Sequence, residues 1–416
     1  MTERMSEIRL VPGELALLER VTEVVRTEVA PRAGQVDGGE FPEAGYQALA
    51  RAGLAGLLIP PEHGGTGSST MLYVAAMEEI AAACGSTSTV YMTQMHCAYP
   101  IEIAGSPEQK ERFVPGLCSG ELYGSLAITE SEAGSDVAAM RTVAREAGGD
   151  YVIDGAKTFI TTGDRADVIV LFAAVDPPGG RKGITAFLIE KGMGGFITGR
   201  VIEKMGMRGS STAELFLDGC RVPATARLGG VGEGFELSMR SVVKSRLSAA
   251  AQGVGFARAA FEQALGWAAL EGRLGTGATS PPFDDQAIAF ELAGMRARVA
   301  ASRELLWSVA ALVDSSGRDR AAPDTIAEVS LAKTYCTDCG MEVADDAMVL
   351  AGSDASAARA GLERIWRDAK GTQIYDGTNQ IQRLLVARDL QRAAIREKAE
   401  RAARAETVAG RNLVGL

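Results

Sequence analysis

Along the chain the spacing of apolar positions changes twice. Leu17, Leu18, Val21, Val24 and Val25 recur at helical spacing, which predicts an amphipathic helix stopped by Pro31. Phe41–Pro42–Glu43 opens another helix, and PPEHGGTGS reads as a Gly/Pro loop. Thr70 is placed to cap a helix from Met71 to Cys84. The period then becomes that of strands. Tyr151–Val152–Ile153 runs into Asp154–Gly155, a hairpin-type signal, and continues as Lys157 to Thr162. Asp167 to Val175, Ile184 to Glu190 and Glu214 to Leu217 are rich in β-branched and aromatic residues, which suits strands. Helical spacing returns in Phe235 to Glu271, Ala287 to Val313, Thr325 to Leu350 and Ile381 to Arg404, the last with a mixed-charge, solvated tail. The order α, then β, then α is not the alternation of a doubly wound sheet.

Composition and charge narrow the function. The 416 residues are 46% hydrophobic and 23% charged, enough for a large core. The formal net charge is −10, which offers no basic field to nucleic acid or an anionic membrane. The start, MTERMSEIRL, is charged where a secretory signal is apolar. The longest apolar stretches, such as Val168 to Val175, reach about half of a bilayer span. A cytoplasmic protein is expected, with neither nucleic acid nor membrane as partner. Of six cysteines only Cys336 and Cys339 are close, and there are two histidines, His63 and His96. No metal site is expected from so few ligands, and packing is the expected role of the cysteine pair. Both histidines read as structural, with His96 also able to line a pocket.

Candidate chemistry lies in two segments. Gly230–Val231–Gly232–Glu233–Gly234 lacks the spacing of a dinucleotide loop and reads as a flexible entry to the long helix. No P-loop and no G-x-S-x-G elbow occurs. Leu126-Ala-Ile-Thr-Glu-Ser-Glu-Ala-Gly-Ser-Asp136 combines small residues, which let a planar ring approach, with hydroxyls at Thr129 and Ser135 that can hold its polar edge. It can equally be a turn before a strand. In Ile374-Tyr-Asp-Gly-Thr-Asn-Gln-Ile-Gln-Arg383, Asp376 can present its carboxylate to a cavity, with the following N–H groups meeting an anion at a helix start. It can also be a simple helix cap.

Together these segments resemble the two signatures of the acyl-CoA dehydrogenase family. Ala156-Lys-Thr-Phe-Ile-Thr-Thr-Gly163 looks like the family's flavin-facing strand. Lys204-Met-Gly-Met-Arg208, Leu217-Asp-Gly-Cys-Arg-Val-Pro223 and Gly232-Glu-Gly-Phe235 before the helix with Arg246 match in order and spacing. The likeness covers roughly residues 10–395. It implies an α+β fold with an N-terminal helical domain (1–124), a middle antiparallel β domain (125–232) and a C-terminal four-helix bundle (233–416).

The resemblance also implies FAD and an acyl thioester on CoA or an acyl-carrier protein. A carboxylate takes the α proton and a hydride leaves the β carbon for flavin N5. Asp376 matches the base, and its backbone N–H the polariser of the thioester carbonyl. Tyr375 and Gly377 would line the reacting carbons, Arg246 would lie near substrate and base, and Ser135 near the pantetheine arm and the cofactor diphosphate. Leu126, Ala127, Ile128 and Thr129 would meet one side of the flavin, and Phe159, Ile160 and Thr161 the other. Thr378, Asn379 and Gln380 would meet the dinucleotide. Arg273 and Gln286 would reach FAD across a subunit interface, implying a homodimer or homotetramer. Tyr91, Met92, Thr93, His96 and Cys97 are candidates for the acyl pocket. An electron-transfer flavoprotein or another acceptor is the expected redox partner.

The chain departs from the family in several places, one being Arg273-Leu-Gly-Thr-Gly in place of the usual Arg-x-x-Phe-Gly run. Asp376 stands where Glu is usual, Phe159 where Trp is commoner, and Val349–Ala355 keeps only Gly352 of the glycine-rich run. The Asp leaves open a flavin oxidase or monooxygenase of the same fold, similar to nitroalkane oxidases. The altered glycine-rich run leaves open a non-catalytic scaffold.

Overall fold

A computed structural model describes residues 10–175, 180–271, 285–316, 323–352 and 361–413. The first helix, α1 (Pro12–Val24), does not end at Pro31 as its proline suggests. The path continues through a π turn at Val25–Val29 and a 3₁₀ turn at Ala30–Arg32 into α2 (Ala33–Asp37). The change of helical register absorbs the donor that proline lacks. Next come α3 (Glu43–Arg51), α4 (Thr70–Ala83), α5 (Gly85–Ala104) and α6 (Pro107–Ser119). The cap of α4 is Ser69, not Thr70: the Ser69 hydroxyl accepts from the Leu72 N–H at 3.1 Å. Thr70 instead donates its N–H to the Asp314 carboxylate at 2.8 Å. Helices α4 and α5 are buried along most of their length, so they form the interior wall on which the other layers pack.

The middle of the chain folds into one sheet of eight strands: β1 (Gly124–Ala127), β2 (Val143–Ala147), β3 (Asp150–Thr161), β4 (Val168–Val175), β5 (Ile184–Glu190), β6 (Phe196–Val201), β7 (Thr212–Val222) and β8 (Arg227–Leu228). The order is β6-β7-β3-β2-β4-β5-β8, with β1 on β4. Most pairs are antiparallel, but β1 and β2 both run parallel to β4. Asp154–Gly155 is not a turn. Strand β3 continues through it with a bulge between Ile153 and Gly155, and the Asp154 carboxylate accepts from Arg145 at 2.8 Å and from the Gly219 N–H at 2.7 Å, tying β3 to both neighbours. The hairpin bends one step earlier, at Gly148–Gly149, where φ of +66° and +90° suits only glycine without strain.

The last third contains α7 (Gly234–Gly266), α8 (Gln286–Ser315), α9 (Pro323–Ala351), α10 (Leu362–Thr372) and α11 (Asn379–Leu413). The four long helices are joined by short α10, which packs on α7 and α9. Cys336 and Cys339 are buried thiols of α9, in packing positions as expected. A buried carboxylate, Glu78 of α4, pairs with Arg303 of α8 and Arg258 of α7, locking first-third helices to last-third helices. Where α5, α7 and the α10–α11 turn meet the edge of the sheet, a cleft remains.

Candidate active site

One wall of the cleft comes from the sheet edge. At the end of β1 and just after it, Leu126, Ile128 and Thr129 line the cleft, whereas Ala127 is fully buried. The facing segment belongs to β3. Its pairing with β7 is irregular between Lys157 and Ile160, and there the Thr158 N–H donates to the Thr129 carbonyl at 3.0 Å. Phe159 sits in the irregularity with φ of +55°, a costly state for a bulky residue, and its ring is left 62% exposed. The Ser125 hydroxyl holds the Thr161 carbonyl at 2.6 Å, fixing the two segments together. Ile160 and Thr161 line the same cleft, and Ser135 lies exposed at its rim.

Facing this edge is the turn between α10 and α11. Asp376 has φ of +53°, a left-handed state that Asp tolerates better than most residues, and Gly377 follows at +84°. Asp376 does not cap α11. That role falls to Thr378, whose hydroxyl accepts from the Ile381 N–H at 3.3 Å. The turn is held by side chains instead. Gln382 donates to the carbonyls of Asp376 (3.2 Å) and Gly377 (2.9 Å), and the Lys333 ammonium of α9 donates to Gly377 O and Asn379 Oδ1, both at 2.9 Å. Asn379 donates to Asp338 and Thr337 of α9, so its side chain is turned into the helical domain. The Tyr375 hydroxyl donates to Gln252 of α7 at 2.7 Å, and Gln252 donates to Ser88 and Thr89 of α5. Three helices thus position one turn.

The remaining freedom is at the Asp376 carboxylate. Its Oδ2 is buried and has no hydrogen-bond partner. Burial raises its pKa, while His96, Lys333, Ser245 and Arg246 pull it down. Burial also lowers Lys333 to about 8 and Arg246 to about 10, with Asp376 opposing both shifts. Arg246 of α7 is buried, and one of its N–H groups lies 3.4 Å from the Ser330 hydroxyl. The result is a dry, net-cationic setting around one uncommitted carboxylate, suited to taking a proton from carbon beside a group that gathers negative charge.

Asp376, His96, Ser245 and Arg246, but not Lys333, line one cavity of about 770 Å³, within the range of cofactor and substrate sites. Thr89, Met92, Thr93 and His96 line it from a single face of α5. Tyr91 and Cys97, on other faces, do not: the Tyr91 hydroxyl donates to Leu54 O at 2.7 Å, and the Cys97 thiol points to Val168 O. Tyr375, Gly377 and Thr378 line the cavity. Gln380, Gln286 and Gly352 are exposed and lie outside it, and Arg273 falls outside the described residues. The exposed Phe159 ring across from Leu126, Ile128 and Thr129 makes an apolar slot suited to a flat ring, so the cleft fits the flavin end of FAD. Sequence reasoning missed Lys333, whose only signal is a lysine on a helical face of small and apolar residues, Val329, Ser330, Cys336 and Thr337. It also missed Gln252 and Gln382, which carry no signal until the turn is folded.

The sequence models of the acyl-CoA dehydrogenase N-terminal, middle and C-terminal domains match residues 12–121, 125–220 and 232–391. The chain is 40% identical over 376 residues to cyclohex-1-ene-1-carbonyl-CoA dehydrogenase of Geobacter metallireducens, covering 90% of this chain and 96% of the relative. Its structure superimposes on that of butyryl-CoA dehydrogenase from Megasphaera elsdenii with a TM-score of 0.86 at 30% identity, covering 92% and 99% of the two chains. The prolyl acyl carrier protein oxidase AnaB is also similar, with a TM-score of 0.85, 28% identity and coverage of 92% and 99%. Ordered motifs, a helix–sheet–helix layout and a cleft built around Asp376 agree with these matches, and the chain belongs to the acyl-CoA dehydrogenase family of oxidoreductases acting on CH–CH groups.

Proposed function

We propose that the protein is a FAD-dependent acyl-thioester dehydrogenase in which the Asp376 carboxylate removes the α proton. The observation that carries this reading is the unpartnered Oδ2 of Asp376, buried on the wall of a cavity whose other wall is the Leu126–Thr129 and Phe159–Thr161 slot. FAD held by that slot would supply the acceptor for the β hydride. Desolvation strengthens Asp376 as a base, and the nearby Arg246 and Lys333 cations keep its ionised form accessible. The Asp376 N–H would polarise the thioester carbonyl, with Tyr375 and Gly377 beside the reacting carbons. Ser135 at the rim would meet the pantetheine arm and the cofactor diphosphate.

Thr378, Gln380 and Gly352 would meet the dinucleotide, and Arg273 and Gln286 would reach FAD across a subunit interface, in a homodimer or homotetramer. The division into 1–124, 125–232 and 233–416 then puts FAD between the sheet and the last helices. A branched or cyclic acyl group on CoA is favoured by the likeness to the cyclohexenyl-carbonyl-CoA enzyme, and a carrier-protein thioester by the likeness to AnaB. We place the protein in the cytoplasm with an electron-transfer flavoprotein as acceptor; among the described residues no helix is long and apolar enough to cross a membrane.

Anaerobic addition of acyl-CoA and carrier-bound thioesters to the flavin-loaded protein tests this reading. Bleaching of the flavin by at least one thioester is expected, and none by any would refute it. A second reading, an oxidase of the same fold, is favoured by the shorter carboxylate of Asp376 and by the likeness to AnaB. Fast reoxidation of the reduced flavin by oxygen would select it, whereas slow reoxidation with rapid transfer to an electron-transfer flavoprotein would select the dehydrogenase.

A further inference from the structure

We propose that His96 is a specificity residue that hydrogen-bonds a hydroxyl or carbonyl on the acyl portion of the substrate, so that the preferred thioester carries such a group on its chain, branch or ring. This rests on the acyl-thioester reading of the cavity and deepens it.

The argument begins with which polar atoms of the cavity are already committed. On the lining face of α5, the Thr89 and Thr93 hydroxyls donate back to the carbonyls of Gly85 and Thr89, at 2.9 and 2.8 Å. On α7, the Ser245 hydroxyl donates to Val242 O at 3.1 Å. His96 differs. Its side chain is 7% exposed, it lines the cavity, and its Nε2 is buried without a hydrogen-bond partner. Buried polar atoms are almost always paired, and one left without a partner in a residue that lines a cavity marks a place for a ligand atom.

The rest of the wall around it selects the kind of ligand. Burial holds the imidazole neutral, with only Asp376 opposing. It therefore recognises a neutral donor or acceptor and would not neutralise a carboxylate as a cation does. Three other lining residues also carry an unpartnered buried atom: Asp376 (Oδ2), which is assigned to the α carbon, Arg246 (Nε) and Ser210 (Oγ). His96 reaches the cavity from α5, beside Met92 and Thr93 on the face expected for the acyl chain, and close enough for Asp376 to act on it. A plain hydrocarbon there would leave Nε2 without a partner in a dry site.

The test compares isosteric pairs of acyl-CoA esters, one member plain and the other bearing a hydroxyl or keto group at a single carbon from the fourth outward, in open-chain and ring series. For at least one position the native holoenzyme should show kcat/KM about tenfold or more higher for the polar member. His96→Leu should abolish that preference by lowering kcat/KM for the polar member more than for the plain one, and His96→Gln should keep most of it. A second readout does not depend on turnover. With only two histidines in the chain, protein labelled at histidine Cε1 gives two resonances, and the one lost in His96→Gln should move with the polar ester and not with its plain partner. Preference for the plain member at every position, or an equal loss for both members in His96→Leu, overturns the proposal. Flavin bleaching by plain esters alone sinks only the role of His96, whereas no bleaching by any ester sinks the acyl-thioester reading as well.

Discussion

Two lysines in this protein, Lys157 at the sheet edge and Lys333 behind the α10–α11 turn, are buried alike and respond alike. Desolvation pushes each ammonium down to about 8. Their surroundings differ. Lys157 donates to the Glu130 carboxylate at 2.7 Å and to Ile128 O at 3.0 Å, and Glu130 also accepts the N–H groups of Arg141 (2.6 Å) and Thr142 (3.0 Å). Every strong group there is matched within the protein, and the result is scaffold: it fixes the loop that presents Ile128 and Thr129. Lys333 spends its donors on a neutral carbonyl and an amide, and the carboxylate it attracts, Asp376, keeps a buried oxygen without a hydrogen-bond partner. A shifted pKa thus marks both places, and only the unspent hydrogen-bonding capacity tells the reactive one from the structural one.

The largest expected effect is at the open carboxylate. Asp376→Asn should retain flavin and lose proton abstraction, slowing anaerobic flavin reduction by about 10²–10⁴-fold. Unchanged reduction would erase the distinction between the two sites. Asp376→Glu displaces the carboxylate by one methylene and should cost up to about 10²-fold, read in the same stopped-flow trace.

The closed pair should fail differently. Lys157→Met leaves Glu130 charged and unmatched, with an expected loss of about 3–5 kcal/mol in urea unfolding. Replacing both partners together, Lys157→Met with Glu130→Leu, should recover most of that loss. An open-site lysine would not behave so.

Lys333→Met should act through pH. The cation lowers the pKa of Asp376, so its removal raises it, and the acid limb of the kcat profile should move to higher pH. The native profile should also fall on the alkaline side near pH 8, where Lys333 discharges, and the variant should lack that limb. A profile that keeps both limbs would return Lys333 to the scaffold class.

The smallest effect concerns Asp368 of α10. Burial raises its carboxyl to about 7, while it accepts the Met207 N–H. Because the folded pKa lies above the unfolded one, its contribution to stability is complete below about pH 4 and is lost as pH rises through 7. Asp368→Asn keeps an acceptor without the charge, so the variant should melt above the native protein at pH 8 and by a smaller margin at pH 5.

The sequence by itself determined the α–β–α order, the family, and the identity of the residues around Asp376 and Phe159, because hydrophobic period and ordered motifs are local properties of the chain. It did not determine where turns and caps fall. Asp154–Gly155 has the chemistry of a turn, yet cross-strand bonds from Asp154 keep β3 extended. Pro31 has the chemistry of a stop, yet a change of helical register carries the path past it. Asp376 and Thr378 are both good caps, and the choice fell to Thr378 once Gln382 and Lys333 had taken hold of the turn. Tertiary structure alone decided which buried charge would be matched and which left open. That depends on whether a partner from a distant segment reaches the same point: Glu130 reaches Lys157 from 27 residues away, and none of Lys333, Arg246 or His96 closes on Asp376 Oδ2.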